Sequence, residues 1–250
     1  MRTTYGARRP SVPGSLALAA LFTAAPAGFQ APAELTPTQR REINAAVYNS
    51  EHRAGDILRL LGLTSGAVEL PPAAGISHPF VPPAPQDAIG FLLCLSSTVI
   101  VGTATDVTVA PTSDNGYLFT SVDLQVSEVI KAPPDLREAW RMSTEGARPV
   151  ATVLRLGGTT TLDGRLVRAP ERPGFPTLRG STRYLMFLTG PLASTGAFKD
   201  DIATFVLEGR TAADVEAATY RHVQELAPDR LLTVTRAEQQ RLAGAGCGGW

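Results

Sequence analysis

The stretch "VAPTSDNGYLFTSVDLQV", Val109 to Val126, constrains the fold more than any other. Asp114-Asn115-Gly116 offers residues that accept the positive φ angles of a tight turn. After it, Leu118, Thr120, Val122, Leu124 and Val126 fall on one face of an extended chain, and Phe119, Ser121, Asp123 and Gln125 on the other. Before it, Thr98 to Val109 is also strand-like, built of small and branched residues. Two strands joined by so short a turn pair antiparallel.

That pairing decides what Gly102 does. The run "SSTVIVGTATDVTV", Ser96 to Val109, has the look of the first strand of a nucleotide-binding fold. Such a fold needs a glycine fingerprint, then a helix, then a parallel strand. Here Gly102 stands alone, and more strand and a hairpin follow it. The dinucleotide reading fails, and Gly102 is expected where a strand bends around a barrel corner.

Further strands are expected at Val150 to Leu156, Thr160 to Val167 (after a Gly157-Gly158 kink), Arg183 to Leu188 and Ala203 to Leu207. Short strands separated by turn residues predict a mainly β fold, a small antiparallel OB-like β-barrel over residues 87–208. Asp87 to Leu95 reads as a short buried helix leading into it. Residues 34–63 form an N-terminal helical segment. There Thr36-Pro37-Thr38-Gln39 can start a helix with a capping box, Gly55-Asp56 can divide the segment, and Gly62 can stop it. Residues 64–86, with clustered prolines, read as an extended linker that Phe80 and Val81 anchor. Residues 209–250 form a helical tail: one helix over Thr211 to Leu226, and a second opened by the capping box Thr235-Arg236-Ala237-Glu238.

Residues 1–33 read as a secretory signal. Arg2, Arg8 and Arg9 precede the apolar run Leu16 to Ala25, and small-residue cleavage sites end at Ala27 or Ala33. The alternative is a short N-terminal helix. The apolar run is too short to span a bilayer and nothing after it is longer, so no transmembrane helix remains once the signal is removed. The predicted location is therefore periplasmic or extracellular. The whole chain has formal charge zero, but without residues 1–33 it carries 20 basic and 23 acidic residues. That balance argues against a protein-wide attraction to nucleic acid. The two cysteines, Cys94 and Cys247, are expected to pair in an oxidising compartment, the alternative being two separate buried thiols.

Four segments together carry a resemblance: "CLSSTVIVGTATDV", "VDLQVSEVIKA", "LRLGGT" and "STRYLMFL". They resemble a family of exported bacterial domains of unassigned function, whose pattern runs "D-x-VVVGTVT-x-V", "V-x-EVLKG", "GG" and "G-x-RYLLFL". The resemblance covers about residues 87–208 and implies no catalytic residues. Cys94-Leu95-Ser96-Ser97-Thr98-Val99-Ile100 is also similar to the start of the OB-like barrel in metalloproteinase inhibitors and netrin-type domains. Those inhibitors chelate zinc with the amino group of an N-terminal cysteine. Cys94 lies inside the chain and the other framework cysteines are missing, so the resemblance implies the barrel more than the mechanism.

No catalytic motif, metal-ligand spacing or cofactor fingerprint is present in the sequence. His52, His78 and His222 sit on polar stretches or in the proline linker, and the apolar surroundings of Cys94 disfavour a thiolate. No pair of carboxylates is singled out. Residues 141–183 hold eight arginines against three acids. Of these, Arg155, Arg165, Arg168, Arg172, Arg179 and Arg183 are the candidates for an anionic-ligand patch, with solvated strand edges as the alternative. Phe175 and Tyr184 are the main aromatic candidates for stacking, too few for a nucleic-acid role. The expectation is a non-catalytic extracytoplasmic binding module whose partner is a protein or an anionic glycan, with no cofactor. The alternatives are a secreted protease inhibitor or modulator and an envelope hydrolase.

Overall fold

The computed structural model describes residues 36–49, 56–73, 87–137, 148–171, 175–208, 223 and 226–247. The fold is mainly β, with helices at either end of the chain. Its centre is the hairpin of β2 (Thr98–Pro111) and β3 (Leu118–Lys131). Asn115 takes φ 53° in the turn, and the Asp114 carboxylate accepts from Gly116 N at 2.9 Å and from Thr112 Oγ1 at 2.8 Å. Both strands run for 14 residues, and register shifts at Val99/Ile100, Val101/Gly102 and Ala104/Asp106 bend the pair. Bulges of this kind increase local twist, which curls a sheet. Gly102 sits at one shift, where a Cβ would lie 3.2 Å from both Gln125 O and Leu124 Cβ.

β4 (Val150–Leu156), β7 (Arg183–Leu188), β8 (Phe198–Lys199) and β9 (Ala203–Val206) complete a six-stranded sheet of order β8-β4-β3-β2-β7-β9. Its pairs are antiparallel except β4 with β8, and it curls into a half-barrel. Only residues 200–202 separate the two edge strands, so the curl brings the sheet edges within about 14 Å of each other. Ile100, Val122, Leu124, Val153, Tyr184, Met186 and Phe198 fill the concave side.

The opposite face is covered at both ends. At one end α3 (Ala88–Leu95) and α4 (Pro228–Ala245) pack on Val99, Val101, Phe187 and Phe205. Lys131 donates to Leu93 O and Ser96 O, both at 2.6 Å, and so caps the C-terminus of α3 from β3. Arg236 of α4 donates through Nε and Nη2 to Glu128, which holds that carboxyl below the usual carboxylate range. Cys94 and Cys247 form the expected disulfide, joining α3 to the residue after α4.

At the other end lie α1 (Pro37–Ala46), α2 (Ile57–Leu63) and a three-stranded sheet of β1 (Val68–Glu69), β5 (Gly158–Leu162) and β6 (Arg165–Ala169) in the order β1-β6-β5. The capping box of α1 is formed: Thr36 Oγ1 accepts from Gln39 N at 3.2 Å and Gln39 Oε1 from Thr36 N at 3.0 Å. Asp56 caps α2. The hairpin turn clamps both helices, because Ser113 N donates to Ala45 O and Ile57 N to Asn115 O. The N-terminal helices therefore share a core with Leu118, Phe119, Leu154 and Leu156.

Several expectations need correction. The 64–86 stretch is more than a linker, since β1 (Val68–Glu69) pairs parallel with β6 (Arg165–Ala169). Phe80 and Val81 lie outside the described residues. Thr160 to Val167 is not one strand. β5 (Gly158–Leu162) turns through Asp163 (φ 48°) and Gly164 (φ 75°) into β6. The Gly157-Gly158 kink is real, with φ of 98° and 127°, and a Cβ on Gly157 would sit 2.5 Å from Pro170 O. α2 runs through Gly62 to Leu63, with Thr64 as its C-cap. Thr235 does not open a helix. α4 starts at Pro228, and Thr235 lies buried in its middle, donating to Leu231 O at 2.8 Å. A hydroxyl bonded to the carbonyl one turn earlier is compatible with a continuous helix. The helix expected over Thr211 to Leu226 lies almost wholly outside the described residues.

Candidate functional site

Between its two covered ends, the convex face of the sheet is polar. Asp106 and Thr108 of β2, Ser121 and Asp123 of β3 and Thr152 of β4 point there, over Phe119. α1 lies over them with Arg40, Arg41 and Asn44, leaving a solvent-open cavity of about 180 Å³ between. The hairpin clamp sets α1 in place.

Asp106 and Asp123 are direct cross-strand partners. Residues so placed have Cβ atoms about 4.5–5.5 Å apart, and like charges there repel. The Asp123 carboxylate accepts from Thr152 Oγ1 at 2.7 Å, which fixes its orientation. Among the described residues no ion pair joins Arg40 or Arg41 to either aspartate. Asn44 is 3% exposed, and its Oδ1 is buried without a partner, as is Arg40 Nε. Both residues line the cavity, but these two atoms are fully covered by their surroundings and do not open into it.

Of the arginines expected to form a patch, three of those described have structural partners. Arg155 is a correction: it is 1% exposed, in the core. Its Nε donates to Asp200 Oδ2 at 3.0 Å, its Nη2 to the same oxygen, and its Nη1 to Pro176 O and to Glu171 Oε2. Its guanidinium also stacks 4.9 Å from the Phe175 ring centroid. Arg165 donates to Leu61 O and Thr64 O, tying β6 to α2. Arg168 pairs with Glu69 across β1 and β6, beside a cleft of about 330 Å³ in which these two charges face each other. Arg179 is exposed and Arg183, on β7, is half-buried. Arg172 and the three histidines lie outside the described residues. Tyr184 is buried, its hydroxyl accepting from Arg179 N at 2.7 Å, so it offers no stacking face.

Glu171 is the weak member of the buried cluster. Burial pushes its carboxyl above the ordinary 4.5, against the pull of Arg155 and with the Asp200 charge adding to the rise. A carboxyl with a raised folded pKa contributes stability that is complete below its unfolded value and is lost as pH rises through the folded value. Glu171→Gln should therefore flatten the loss of stability as pH climbs from 4.5 towards neutrality. Urea midpoints across that range check this, and an unchanged slope would contradict it.

Among the described residues no group of three or more His, Cys, Asp or Glu is placed to hold a metal ion, and no helix is long and apolar enough to cross a membrane. No protein-family model matches the chain, and no curated protein matches it.

Proposed function

We propose that the chain is a non-catalytic binding module, working outside the cytoplasm, which holds a small polar ligand between α1 and the convex face of the sheet. The observation that carries this is a cavity lined by Arg40 and Arg41 of α1 and by two aspartates that oppose each other on β2 and β3, with no ion pair between the two sets. A few convergent polar and charged groups of this kind fix the orientation of small ligands. The signal-like residues 1–33 and the Cys94–Cys247 bridge support action outside the cytoplasm.

The opposed aspartates also favour a second reading, an envelope hydrolase, because retaining glycosidases use two carboxyls about 5 Å apart. The inhibitor reading gains nothing from Cys94, whose sulfur is bonded to Cys247.

Thermal unfolding of the full chain with sugars, polyols and amino acids tests the proposal. A bound ligand at a hundred times its Kd stabilises by about 2.7 kcal/mol. At least one class should raise the midpoint in the native chain and not in Ser121→Leu, which fills the cavity. If no class does so, the proposal fails. If the added compound is cleaved, the hydrolase reading replaces it.

A further inference from the structure

We infer that the cavity takes a compact zwitterion, a small α-amino acid, with its ammonium on the aspartate floor and its carboxylate under the arginine roof. This rests on the binding reading above. The cavity walls carry opposite charge: Arg40 and Arg41 come from α1, and Asp106 and Asp123 from β2 and β3. Neither pair neutralises the other through an ion pair. A zwitterion pairs with both sets at once, whereas a singly charged ligand pairs with one set and a neutral polyol with neither.

The donor and acceptor inventory agrees. An ammonium has three donors and no acceptor. The cavity supplies two carboxylates for it, Asp106 and Asp123. A carboxylate accepts only, and the guanidinium groups of Arg40 and Arg41 are donors only. The hydroxyls of Thr108, Ser121 and Thr152 can serve either end. A cavity of about 180 Å³ suits a ligand of the size of a small amino acid.

The test is calorimetric titration of the oxidised full chain with four probes: L-alanine, N-acetyl-L-alanine (no ammonium), L-alaninamide (no carboxylate) and D-glucose (neutral). L-Alanine should bind at least about tenfold tighter than either single-charge analogue, and glucose should not bind. Asp106→Asn and Arg41→Gln change exposed side chains, so both should fold. Asp106→Asn should weaken L-alanine and L-alaninamide but not N-acetyl-L-alanine, and Arg41→Gln should do the reverse for the two analogues. If glucose binds and L-alanine does not, or if all three amino-acid probes bind equally, the zwitterion inference falls while the binding module stands. If none of the four binds and no other polar class raises the unfolding midpoint, both fall.

Discussion

Arg155→Met, with Asp200 left in place, will destabilise the protein by about 3–5 kcal/mol, the usual cost of breaking a buried ion pair by removing one partner. Arg155 and Asp200 are both buried, so the remaining carboxylate would have no water to replace the lost guanidinium. The position magnifies the effect. The six-stranded sheet does not close by hydrogen bonds between its edges, β8 and β9. Asp200 lies in the three-residue link between them, and its carboxylate accepts from Arg155 on β4 and from Thr204 on β9, the latter at 2.6 Å. Arg155 also grips Pro176 O and Glu171 from the preceding connection. The network thus does at the mouth of the half-barrel what a ladder would do in a closed one. Arg155→Met combined with Asp200→Leu should recover much of the loss, since apolar replacement of both partners is often neutral. Urea unfolding of the single and double variants measures both. A single variant within about 1 kcal/mol of the native protein would remove the network from any closing role.

Losing the disulfide, by Cys94→Ala or by reduction, should cost about 5 kcal/mol on the chain-entropy account, because the bridge spans a sequence separation of 153. The structural consequence should be local first. α4 reaches the body through Leu231, Leu232 and Leu242, through Arg236 on Glu128, and through the bridge after its last turn. With the bridge gone, its final turn is held by Leu242 alone among its buried residues. Amide exchange in α4 should accelerate on reduction well before β2 and β3 respond. Equal protection in the two redox states, with an unchanged urea midpoint, would show that packing alone seats the helix.

What could be read from sequence tracks how local the deciding interaction is. The hairpin, the α1 capping box and the buried α3 helix were legible because adjacent residues decide each one. The β5–β6 turn was equally local, and Asp163-Gly164 was its signal, but the surrounding residues suit either one strand or two short ones. Thr235 misled because Thr-x-x-Glu is as compatible with the interior of a helix as with its start. β8 is two residues long and exists only because β4 is beside it. Arg155 looked like a surface arginine because its acid partner is 45 residues away. One part of the cavity was within reach: five residues back from Pro111 and five on from Leu118, the hairpin register sets Asp106 against Asp123.

Local sequence was enough for the mainly β class, the central antiparallel pair, the positions of α1 and α3 and the presence of two cysteines able to pair. Turn chemistry and side-chain alternation are properties of neighbouring residues, and they act the same way before the chain has folded. The tertiary structure alone decided which strands became edges, that an arginine would lie in the core, and that α1 would roof the polar face of β2, β3 and β4. Those outcomes depend on groups tens of residues apart, whose pairing has an energy only once the sheet has curled and water has been excluded between them.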